Sequence, residues 1–140
     1  MIEEYLRQIR NLVRTNNYTE YTFRTPFENL LNNFNNENNF NLRILQEPER
    51  ENFGAPDFKI TDNVNNVIGY IECKNIDENI NNLRNTSQID KYLSISKNLI
   101  ITNYVDFILY KNNGEYIETC SISTLNDLRN NRNIVCPGQA

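Results

Sequence analysis

Residues 56–74 read PDFKITDNVNNVIGYIECK, and this stretch decides the fold. Asp57-Phe58-Lys59-Ile60-Thr61 alternates polar and apolar side chains, the pattern of a half-buried strand. DNVNN is a polar turn, and Val67 to Lys74 is a second strand, apolar on both faces. Two strands joined by a short polar turn make a hairpin.

Upstream, Ile2, Leu6, Ile9, Leu12 and Val13 recur at helical spacing, so residues 2–14 read as an amphipathic helix. Thr25-Pro26-Phe27-Glu28 then reads as a helix start, with Thr25 at the N-cap, Pro26 at the first helical position and Glu28 closing a capping box. Phe27, Leu30, Leu31 and Phe34 are the expected buried stripe of that second helix. Leu42 to Gln46 is a short strand closed by Pro48, followed by the polar loop EPERENFGAP. Downstream, residues 76–85 read as loop, and Thr86 or Ser87 caps a helix to about Lys97. Asn98 to Thr102, Asp106 to Lys111 and Tyr116 to about Ile122 are strands, with a tight NNG turn at 112–114. A short helix near 124–131 ends the pattern. The order ααβββαβββα implies a single α/β or α+β domain with a mixed central sheet flanked by helices. It spans residues 1–140 with a core at about 21–122.

Composition narrows the chemistry. The 140 residues carry 14 Lys and Arg against 18 Asp and Glu, a net charge of −4, with no His and no Trp. Asn accounts for 28 residues and drives the mean hydropathy down to −0.66. The 8 Tyr, 7 Phe and 16 Ile nevertheless supply a globular core, so the Asn load reads as coding bias on an ordinary domain. Without His there is no Ser-His-Asp triad, no Cys-His pair and no His-ligated zinc, so base and ligand work falls to carboxylates. Cys73, Cys120 and Cys136 are odd in number and widely spaced, which fits neither a CxxC metal site nor a disulfide framework and points to a reducing cytoplasm. No apolar run reaches the roughly 18 residues of a membrane span, and MIEEYLRQIR is unlike a signal peptide. The negative charge gives no global attraction to nucleic acid. Arg24, Arg43, Lys59, Arg84, Lys91 and Lys97 read as ordinary solvated charge.

The candidate chemistry lies in Pro56-Asp57 and, 15 residues beyond the Asp, Glu72-Cys73-Lys74. Glu72 and Lys74 leave one face of their strand, and a hairpin can bring Asp57 beside Glu72. Two carboxylates and the backbone carbonyl of Cys73 form an oxygen-rich site suited to Mg²⁺, with Mn²⁺ as a substitute. Lys74 would orient a water nucleophile and offset negative charge at a phosphate. The bland reading of the Glu72–Lys74 pair is surface charge at a strand end. Gln88 and Tyr92 lie four apart on one face of the following helix. Glu28 is a candidate third acid, although a capping box already accounts for it. The side chain of Cys73 points to the opposite face and reads as a small buried apolar group. The aromatic run from Tyr104 to Tyr116 reads as sheet packing.

From Glu28 to Tyr92 the sequence resembles PD-(D/E)xK nucleases, specifically the Mrr-like domain that opens single-polypeptide restriction-modification enzymes of type ISP or IIG. The likeness is carried by RTPFENLL, ILQEPER, GAPDF, GYIECK, QIDKYL and NLIITNYVDFILYKNNGE, over roughly residues 21–116. It implies a restriction-endonuclease-like core, metal-binding Asp57 and Glu72, catalytic Lys74, assisting Gln88 with Tyr92 positioning substrate, and an acidic contribution from Glu28. It further implies a Mg²⁺-dependent endonuclease acting on double-stranded DNA. In such enzymes methyltransferase, target-recognition and sometimes helicase-like domains share the polypeptide, so the chain is expected to be a fragment that borrows its grip on DNA. The alternatives are a non-catalytic nucleic-acid-binding or docking module that keeps the fold, and a small structural domain without a site.

Overall fold

In the computed structural model the described residues are 1–19, 21–46, 56–83, 87–94, 96 and 98–130. The chain runs α1 (Ile2–Arg14), α2 (Arg24–Asn38), β1 (Arg43–Gln46), β2 (Phe58–Thr61), β3 (Val67–Cys73), a 3₁₀ turn (Ile80–Leu83), α3 (Ser87–Leu93), β4 (Leu99–Thr102), β5 (Asp106–Lys111), a 3₁₀ turn (Asn112–Gly114), β6 (Tyr116–Ser121) and α4 (Leu125–Arg129). The expected α+β class and element order are both present. The six strands form one sheet in the order β1-β2-β3-β4-β5-β6. Every neighbouring pair is antiparallel except β3 and β4, whose parallel pairing requires the crossover that α3 supplies.

Strand alternation sorts the sheet into two faces. Phe58, Ile71 and Cys73 point toward α1, α2 and α4, where they meet Tyr5, Leu6, Ile9, Val13, Phe23, Phe27 and Leu128. Phe27 sits at the centre, edge-on to Phe58 (5.7 Å between ring centroids) and Tyr104 (5.8 Å). The opposite face carries Tyr70, Leu99, Ile101, Ile108 and Tyr110, covered by Ile80, Ile89 and Tyr92. Among the described residues no helix is long and apolar enough to cross a membrane.

Three local expectations are corrected. The second helix starts at Arg24, and its N-cap, Phe23, makes no side-chain cap bond, so Thr25 and Glu28 form no capping box. Pro26 still falls in the first turn, where a backbone N–H has no helical partner. Phe34 is exposed and packs on Phe40 instead (5.6 Å), because beyond Leu31 the helix meets the short edge strand β1, itself largely exposed. Val67 and Ile68 are exposed, so β3 is buried on both faces only from Gly69 onward. The last helix keeps its expected cap, with the Asp127 N–H donating to Thr124 Oγ1 at 3.1 Å. Pro48, Arg84, Lys97 and Cys136 lie outside the described residues.

Candidate active site

The β2–β3 hairpin pairs Phe58 with Ile71, and carrying that antiparallel register one residue further sets Asp57 across from Glu72. The Cys73 N–H donates to Asp57 Oδ2 at 2.6 Å, which fixes the carboxylate at the end of the hairpin. Arg24, in the first turn of α2, donates from Nη2 to Asp57 Oδ1. Both partners are buried, Arg24 at 4% and Asp57 at 8% exposure. Tyr21 covers the guanidinium, with Cζ 4.3 Å from its ring centroid.

Glu72 lies on the face covered by α3 and is equally buried. The Tyr92 hydroxyl donates to Glu72 Oε2 at 2.5 Å. Burial pushes the Glu72 carboxyl up to about 8, and Asp57 adds to the rise through its charge and a side-chain hydrogen bond. The Tyr92 hydrogen bond and the Lys74 charge oppose it. Glu72 therefore holds a proton at neutral pH while no cation lies between the two acids. The donor set suits a hard dication, since a pair of facing carboxylates that cannot both ionise is relieved by a positive charge between them.

Lys74 follows β3 directly, and its N–H continues the parallel ladder by donating to Thr102 O at 2.7 Å. Its side chain is half-buried and shares the Glu72 face. Gln88 is in the first turn of α3, but its side chain lies outside what the structure describes. Glu28 is half-buried, four residues after Arg24 on α2, and joins no hydrogen bond or ion pair with a described residue. Among the described residues no group of three acidic or thiol side chains converges on a metal position. Hydrogen bonds and charge thus link Asp57, Glu72, Lys74 and Tyr92, while Glu28 lies one helical turn beyond Arg24 on α2.

Cys73 is buried on the far face, where its thiol accepts a hydrogen bond from the Tyr104 hydroxyl. Burial raises that thiol well above its ordinary range, so it stays protonated and inert. Tyr104 is fully buried with φ of 78°, a conformation rare for a bulky residue. Thr102 Oγ1 accepts its N–H at 2.9 Å, and the Tyr5 hydroxyl donates to its carbonyl at 2.6 Å.

Arg24 is the site residue that sequence reading missed, because it read as solvated charge. The available signal was its spacing, three residues before the core residue Phe27, which puts both on one helix face once the helix starts at Arg24.

No family model matches the chain, and no curated protein matches it. A solved structure does. The fold is that of a segment of a DrdV–DNA complex determined by cryo-electron microscopy, with a TM-score of 0.66 and 20% sequence identity. The match covers 91% of this chain and 12% of the DrdV chain. At that identity the likeness is one of fold, and it extends over nearly all of the present domain.

Proposed function

We propose that this domain is a metal-dependent endodeoxyribonuclease of the PD-(D/E)xK type, Mrr-like in kind, acting within a restriction-modification enzyme. The observation that carries the reading is the buried Asp57–Glu72 carboxylate pair with Lys74 on the Glu72 face. The fold likeness to a protein solved on DNA supports duplex DNA as the substrate. Methyltransferase, target-recognition and helicase-like domains elsewhere in one polypeptide would account for the lack of net positive charge here.

Asp57 and Glu72 would hold Mg²⁺, or Mn²⁺ in its place, with the Cys73 carbonyl as a third oxygen. When bound, the ion supplies polarisation of the phosphodiester and a lowered pKa for the attacking water. Tyr92 holds Glu72 in place from the protein side. Lys74 brings a positive charge to the face where the phosphate would lie, opposing charge that develops during hydrolysis. Gln88, one turn before Tyr92, would assist on the same side.

The test is cleavage of duplex DNA with Mg²⁺ by the native full-length polypeptide and its Glu72→Ala and Lys74→Ala variants. Each variant is expected to lose cleavage by at least about 100-fold while keeping fold and DNA binding. Near wild-type cutting by either would overturn the assignment. Asp57 is a poor first target, since its removal strands a buried Arg24 and confuses folding with chemistry.

One observation favours a second reading, a DNA-docking module without catalysis: both Asp57 oxygens already have protein partners. Calorimetry with Mn²⁺ in the presence of duplex DNA separates the two, because a docking module would show no metal binding that depends on Asp57 and Glu72.

A further inference from the structure

We propose that Arg24 is a positioning residue for the carboxylate pair: its buried guanidinium is the counter-ion of Asp57 when no divalent cation is present, and it competes with that cation for Asp57. The inference rests on the metal-dependent reading above. Arg24 donates to Oδ1 while the Cys73 N–H takes Oδ2, so each carboxylate oxygen has already committed one of its acceptor positions. An arginine cannot yield by losing its proton, as a lysine can. A cation approaching Asp57 must therefore meet a fixed positive charge, and the guanidinium has to share the carboxylate or give it up.

Charge counting points the same way. Asp57 and Arg24 cancel, and Glu72, when ionised, is set against Lys74, so the metal-free cluster carries no net negative charge to draw a dication. Removing the Arg24 charge leaves Asp57 buried beside Glu72, with Lys74 the positive charge that acts on Glu72 among the described residues, an arrangement unstable unless a cation enters. A purely structural Arg24 behaves differently, since its loss would lower stability without raising affinity for metal. Tyr21, on the turn into α2, lies over the guanidinium with Cζ 4.3 Å from its ring centroid and helps to hold it at the hairpin end.

The experiment compares the native chain with Arg24→Gln by titration calorimetry with Mn²⁺ at fixed ionic strength, alongside thermal melts with and without Mn²⁺. Arg24→Gln is expected to bind Mn²⁺ about 3- to 10-fold more tightly and to gain more melting temperature from it. A folded Arg24→Gln with equal or weaker Mn²⁺ affinity overturns the role given to Arg24 while leaving the metal site standing. Absence of Mn²⁺ binding to both proteins overturns the metal reading, and this proposal with it. If Arg24→Gln does not fold, the native protein carries the test through ¹⁵N spectra recorded during addition of Mg²⁺. The Arg24 Nη signals are expected to shift and lose protection together with the Cys73 amide. A Cys73 amide that moves while Arg24 stays fixed overturns the proposal.

Discussion

Tyr92 donates its buried hydroxyl to Glu72 Oε2, joining the crossover helix to the central strand at the point where two acids face each other. The contact favours the ionised carboxylate, yet burial and Asp57 outweigh it and Glu72 stays protonated to about pH 8. The protein thus keeps an acid in a place that opposes its charge. Such a residue is costly to the fold, and under the proposed metal-dependent reading a cation between the two acids would relieve that cost.

That cost has a pH signature. Unfolded, Glu72 releases its proton near its ordinary value of 4.5; folded, it does so near 8. Between those values the folded state binds more protons, so the Glu72 contribution falls as pH rises through this window and is flat above it. Glu72→Gln removes the titration while keeping the shape and the Tyr92 contact. Without metal it is expected to be more stable than the native protein by about 1–3 kcal/mol at pH 9, and nearly equal to it at pH 5. Denaturant melts across pH measure the difference; parallel pH profiles for the two proteins would show that Glu72 titrates normally.

Tyr92 separates packing from positioning. Its ring belongs to the core beneath α3, so Tyr92→Ala is expected to cost about 3–5 kcal/mol. Tyr92→Phe keeps the ring and removes only the hydroxyl, for about 1 kcal/mol. If the hydroxyl positions Glu72, Tyr92→Phe lowers DNA cleavage by about 10-fold at nearly unchanged stability. Cleavage rates and melts on the same samples decide the matter, and unchanged cleavage would confine Tyr92 to packing.

Much of the candidate site was legible because strand register is local information. The alternation in DFKIT and VIGYIECK, with the turn between, is enough to set Asp57 across from Glu72 and to send Cys73 to the other face. What was not legible depends on where α2 docks. Thr-Pro-x-Glu is a sound local start signal, yet the helix begins two residues earlier, since packing of Phe23 and Phe27 against Tyr104 outweighs a surface cap. That shift turns Arg24 from solvent toward Asp57 and leaves Glu28 without a capping role. Phe34 fails similarly: its helical periodicity is intact, but only the narrow edge strand lies near that part of the helix.

The parallel pairing that carries Glu72 depends on Gly69. A Cβ added there would stand 2.8 Å from the Asn98 carbonyl oxygen and 3.1 Å from Asn98 Cβ. The Asn98 backbone is held in that place from two directions, since the Tyr70 N–H donates to its carbonyl at 3.2 Å and its own Nδ2 donates to Ile68 O at 2.9 Å. Two effects compete in Gly69→Ala. Loss of backbone freedom in the unfolded chain favours alanine by about 0.4–1 kcal/mol, whereas overpacking opposes it by about 1–3 kcal/mol. The neighbour is backbone locked by two hydrogen bonds rather than a flexible side-chain tip, so overpacking prevails and the variant is expected to be less stable by about 1–2 kcal/mol. Because the displaced strand is β4, which pairs Ile101 with Glu72, the damage should spread to the site as weaker Mn²⁺ binding. Urea denaturation and Mn²⁺ calorimetry on Gly69→Ala test both parts, and a stabilised variant would mean that β4 slides freely along β3.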